Sequence, residues 1–116
     1  MSLRPLFVTQ VYEASLAVSP GFADFNAGLA EACRMLAAED NAGRAWCREN
    51  GYRGYTSYGS LGDLPHRLPE FAELKRHLDK HALVYAKALN FDLARKPRLD
   101  SLWVNILKPG GGHTGH

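Results

Sequence analysis

From residue 70 onward the apolar side chains fall at Phe71, Leu74, Leu78, Ala82, Tyr85 and Leu89, in steps of three and four. That spacing predicts an amphipathic helix from Glu70 to Asn90, because residues three or four apart share one helical face. Pro65 and Pro69 bracket a loop before it. An earlier stretch repeats the pattern at Phe22, Phe25, Leu29, Ala32, Cys33 and Leu36. It predicts a helix over Phe22–Asp40, with Ser19 as N-cap and Pro20 at the first helical position. Asn41 to Asn50 reads as a short helical piece around Ala45-Trp46-Cys47, closed by Gly51.

Strand signals are fewer. Leu6 to Leu16 alternates Phe7, Thr9 and Val11 against Val8, Gln10 and Tyr12, a period-two pattern that Ser19-Pro20-Gly21 then breaks. Tyr55 to Tyr58 reads as a short strand between turns. Ser101 to Leu107 alternates Leu102, Val104 and Ile106 against Trp103, Asn105 and Leu107, a strand expected to be covered on both faces. A glycine-rich close, Lys108-Pro-Gly-Gly-Gly-His113-Thr-Gly-His116, follows it. Three strands fall short of the four to six usual in a sheet. Residues 1–116 are therefore expected to be one domain's worth of chain that forms the N-terminal portion of a larger domain. An unpaired edge on strand 101–107 would invite aggregation or a homodimer.

Composition narrows the class. Of 116 residues, 46% are hydrophobic and 22% charged, a balance typical of globular chains. Fourteen Lys and Arg against twelve Asp and Glu leave a net charge of +2, too small a bias for strong attraction to nucleic acid or anionic membrane. No apolar run approaches the ~20 residues of a membrane-spanning helix. The N-terminal run Leu6-Phe7-Val8 is too short for a secretory signal. Cys33 and Cys47 make no CxxC pair and read as free thiols in a reducing cytoplasm.

Several residues invite chemistry. His113 and His116 sit among glycines that let the backbone turn imidazoles toward an ion, but a site needs at least three protein groups. The plain alternative is a polar tail. His77 and His81 have zincin spacing, yet Leu78 stands where that motif has its Glu, so they read as rim histidines of a half-buried helix. Cys47 has no evident partner for nucleophilic work. Gly110-Gly111-Gly112 lacks the Lys-Ser/Thr of a phosphate loop. Tyr52, Tyr55 and Tyr58 with Arg53 could stack on bases; core and turn packing is the simpler account.

The order of features carries a resemblance. An opening Leu6-Phe-Val-Thr-Gln-Val11 stretch, a long helix, Gly51-Tyr-Arg-Gly-Tyr-Thr-Ser57, a Leu68-Pro-Glu-Phe-Ala-Glu-Leu74 helix, and Leu102-Trp-Val-Asn-Ile-Leu107 leading to Gly-Gly-Gly-His113-Thr-Gly-His116 follow in turn. Together they resemble the N-terminal half of a family of 2-oxoglutarate- and iron(II)-dependent oxygenases of bacteria and phages. In that family a Trp-x-Asn strand leads through a glycine-containing loop to an His-x-His-Pro segment, followed by a Ser-Gly-x-Tyr-Tyr strand. The resemblance covers nearly all of the chain. His116 matches the first histidine of His-x-His-Pro, His113 falls in the variable approach, and the family's later ligands and basic 2-oxoglutarate anchor would lie beyond residue 116.

What the resemblance implies is an α+β chain whose N-terminal helices pack on the first strands of a double-stranded β-helix, jelly-roll or cupin-like and incomplete in these residues. It implies Fe(II) and 2-oxoglutarate as cofactors, and His116, more weakly His113, as metal ligands. The substrate, small molecule or protein, stays open. The competing expectation is a small non-catalytic α+β module that binds a partner or serves structure, using the tyrosine-rich turn and an exposed helix face.

Overall fold

Leu64 and Phe71, 0% and 2% exposed, mark the centre of the molecule. The computed structural model describes residues 1–112. Its elements run, in chain order, α1 (Phe22–Glu39), α2 (Asn41–Glu49), β1 (Gly54–Thr56), α3 (Leu64–Arg67), α4 (Pro69–Ala88) and β2 (Asn105–Leu107), with a 3-10 turn at Leu16–Val18 before them. Around Leu64 and Phe71 gather Ala32 and Leu36 of α1, Tyr55 of β1 and Val104 just ahead of β2. Leu29, Leu61, Leu68, Leu102 and Ile106 close the same cluster. Non-directional apolar burial thus joins elements from both ends of the sequence.

Helix α4 begins with Pro69 at its first position, where a missing N–H costs nothing. Its stripe is only half used. Phe71 and, outside the stripe, Ala86 are buried, but Leu78 is exposed; α1 and α3 pack against the helix. At α1 the cap is Gly21, in the left-handed region at φ 76, and not Ser19. The Ser19 carbonyl accepts from the Phe22 N–H at 3.2 Å, and Gly21 supplies the positive φ that this turn requires.

The sheet has two strands, β1 and β2, antiparallel, with Gly54 opposite Leu107, Tyr55 opposite Ile106 and Thr56 opposite Asn105. The pairing continues past the strands: the Ser57 N–H donates to the Val104 carbonyl at 3.0 Å. The Val104 N–H in turn donates to Ser57 Oγ at 2.9 Å. Period-two alternation turns Val104 and Ile106 to the core. Trp103, Asn105 and Leu107 turn the other way and are exposed, so the strand is covered on one face and not two.

The double-stranded β-helix is not formed. Among the described residues the chain is a mostly helical α+β structure with two strands in one antiparallel sheet. A jelly roll needs about eight strands in facing sheets. Residues 6–16, read as a strand, pair with none; Phe7 has φ 59 and is 101% exposed. This segment lies on α4 as an arm. Tyr12 Oη meets His81 Nδ1 at 2.7 Å, and the Tyr85 hydroxyl donates to the Gln10 carbonyl. The radius of gyration is 18.2 Å and the long axis 62 Å, against about 13 Å for a compact chain of this length. No helix among the described residues is long and apolar enough to cross a membrane.

Candidate functional site

The outward face of the β1–β2 pair forms the floor of a cleft. Thr56 and Asn105 lie opposite each other on it, and the Thr56 hydroxyl donates to Asn105 Oδ1 at 2.6 Å. One step further along the same face, Tyr58 meets Trp103 edge to face, with ring centroids 5.1 Å apart and planes at 75°. The C-terminal end of α2 and the turn after it, Trp46 and Asn50–Arg53, raise the opposite wall. The space so enclosed is about 690 Å³, within the usual range of small-molecule sites.

Three local devices hold these walls. First, Asp40 sits where α1 ends and α2 begins. Its Oδ1 accepts the Gly43 N–H at 2.9 Å, a helix cap, while Oδ2 accepts from Tyr55 Oη at 2.7 Å and Ser60 Oγ at 2.6 Å. Burial works to raise this carboxyl. The hydrogen bonds from Ser60, Tyr55 and Gly43, with Arg67 nearby, outweigh burial and hold it below the ordinary carboxylate value. Second, buried Cys47 on α2 accepts the Thr56 N–H at 3.3 Å, tying α2 to β1. Third, the Trp46 ring lies against Gly59 so closely that a Cβ there would meet ring atoms at 2.8 Å. A glycine is what lets that tryptophan lie flat on the turn.

The rim is set by the segment after β2. The Gly111 N–H donates to the Lys108 carbonyl at 2.8 Å, closing a turn that brings Gly112 to the cleft. His113 and His116, the sequence candidates for metal ligands, lie outside the described residues. His77 and His81 are engaged elsewhere: His77 packs against Phe25 with centroids 5.6 Å apart, and His81 meets Tyr12. Among the described residues no group of three His, Cys, Asp or Glu could hold a metal ion. The tyrosines divide. Tyr55 enters the core, whereas Tyr52 and Tyr58 line the cleft.

The sequence marks Trp103 and Asn105 only as a Trp-x-Asn strand motif, and does not mark Trp46 or Thr56 as site residues. A signal for two of them is present: alternation puts Trp103 and Asn105 on the strand face opposite Val104 and Ile106. Neither protein-family models nor curated proteins yield a match to the chain.

Proposed function

We propose that this chain is the N-terminal part of a non-haem iron(II)- and 2-oxoglutarate-dependent oxygenase of the hydroxylase type, with the cleft as its substrate-side wall. One observation carries the reading: Gly112, the residue that precedes His113 in the sequence, lines the cleft. The order Trp103-Val104-Asn105, glycine loop, histidine supports it from the sequence side. Residues 1–112 do not by themselves fit an iron centre, since they offer no three-donor group. On this reading His116 supplies one ligand, His113 being the weaker candidate, and the other ligands and 2-oxoglutarate anchor come from a domain larger than residues 1–116. Free Cys33 and Cys47 favour the cytoplasm as its compartment.

The test is iron(II) binding by the full-length protein under anaerobic conditions, with 2-oxoglutarate turnover to succinate as the second readout. His116→Ala is expected to abolish both. Iron affinity that survives the substitution overturns the role of His116.

A second reading, a non-catalytic α+β binding module, is favoured by a cleft whose described lining is aromatic and amide in character, with no His, Cys, Asp or Glu. A full-length protein that binds ligand in the cleft but neither iron nor 2-oxoglutarate would establish it.

A further inference from the structure

The cleft's lining specifies a ligand class. Trp46, Tyr52, Tyr58 and Trp103 supply the apolar surface, and Tyr58 and Trp103 are 65% and 42% exposed. Aromatic walls of this kind hold planar rings by stacking and edge contacts. The lining contains one charged side chain, Arg53, and no Asp or Glu. Arg53 takes part in none of the ion pairs among the described residues. A cationic ligand, which aromatic walls alone could accept, is disfavoured by the positive charge that Arg53 brings to a lining without Asp or Glu. A carboxylate is favoured by the same charge, and a guanidinium is the donor fork that matches it.

The polar floor agrees with that sign. Asn105 Oδ1 is engaged by the Thr56 hydroxyl, which itself accepts the Tyr58 N–H at 3.2 Å. One lone pair of the amide oxygen is therefore used, which turns its two N–H donors away from Thr56 and leaves them for a ligand. Arg53 and Asn105 both offer donors.

We infer that the cleft binds an aromatic or similarly planar ring that bears a carboxylate, the ring between Trp46, Tyr58 and Trp103 and the carboxylate toward Arg53. That such a molecule is the substrate rests on the oxygenase reading; that it binds does not.

Both tryptophans of the chain line the cleft, so all tryptophan emission reports from it. The experiment titrates the full chain with phenylacetate, phenylacetamide and acetate, in buffer with a chelator and no 2-oxoglutarate. Tryptophan fluorescence is read first, with calorimetry to catch binding that leaves emission unchanged. Phenylacetate is expected to bind saturably, about tenfold more tightly than phenylacetamide, an effect of the size of a charge-assisted hydrogen bond. Acetate is expected to give no saturable signal. Arg53→Gln, at an exposed position, is expected to remove the preference for phenylacetate while leaving the circular dichroism unchanged. Equal binding of acid and amide, an unaltered preference in Arg53→Gln, acetate binding as tightly as phenylacetate, or no saturable signal by either method overturns the inference. Because no iron is present, these outcomes are independent of the His116→Ala iron result, and either idea can fail alone.

Discussion

Tyr55 donates its hydroxyl proton to Asp40 Oδ2 over 2.7 Å, tying the middle of β1 to the joint between α1 and α2. The ring is part of the core and its polar tip reaches a charged cap, so one side chain serves packing and orientation together. Burial, then the bond and the charge of Asp40, push the phenol far above its ordinary value, and Tyr55 is a donor throughout the accessible pH range. Asp40→Asn keeps the shape and removes the charge. It is expected to cost about 1–2 kcal/mol, and Tyr55→Phe about 1 kcal/mol. In a urea-denaturation double-mutant cycle the two losses should add to more than the double variant shows. Strict additivity would mean that the charge of Asp40 adds nothing to this bond.

The same carboxylate gives a pH dependence with a defined sign. Asp40 is depressed in the folded chain, so the unfolded state binds a proton more readily. Its stabilisation is full above the unfolded carboxyl value, about 4, and is lost as pH falls through the depressed folded value. The difference in urea midpoint between the native chain and Asp40→Asn should therefore be constant near neutrality and shrink below about pH 4. A difference that grows on acidification would contradict the assignment.

Gly54 faces the Ile106 carbonyl so closely that a Cβ would sit 2.2 Å from the oxygen, and its φ is +146. Both partners are backbone, so neither can swing away. Gly54→Ala is expected to break the pairing of β1 with β2 and to destabilise by more than the ~1 kcal/mol that a glycine replacement gains at a compatible position. Amide exchange reads it directly: the Ser57 and Val104 N–H groups, protected in the native chain, should exchange much faster. Unchanged protection would show that the register tolerates a side chain there.

The N-terminal arm is expected to be the first part lost to protease. Leu6 and Phe7 are exposed and outside any ladder, so chymotrypsin should cut at 6–8 before any bond in α4. A chain beginning at Thr9 keeps Gln10 and Tyr12 on α4. Its Tm should fall by less than the roughly 4 °C that ~1 kcal/mol produces in a domain of this size. A larger drop would show that the apolar arm contributes to the core.

The helices were legible because a stripe is a local property. The pattern over Glu70–Asn90 is observed as α4, Pro69–Ala88, and that over Phe22–Asp40 as α1, Phe22–Glu39. The strands were legible only in part. Alternation at Leu6–Leu16 records side-chain preference, but a strand exists only where a partner edge is available, and here Tyr12 and Gln10 bond to α4 instead. At Ser101–Leu107 the alternation did sort core from cleft, with Val104 inward and Trp103 outward. The cleft itself was hidden because its walls come from α2, the turn after it and β2. Long-range contacts bring these together: the pairing of β1 with β2 and the bond from the Thr56 N–H to Cys47 of α2. His113 and His116, which carry the metal expectation, lie outside the described residues.

The pairing of Ser57 with Val104 closes a loop of 47 residues around α3 and α4. Helices can form as each segment emerges during synthesis, but the sheet cannot, since Asn105 of its second strand is made 49 residues after its partner Thr56. Closing so long a loop carries an entropy cost before any contact rewards it. Until Val104 and Ile106 clear the ribosome, Leu64 and Phe71 lack part of their cover, and a nascent chain stalled before residue 104 should expose a greasy helical face that chaperones recognise.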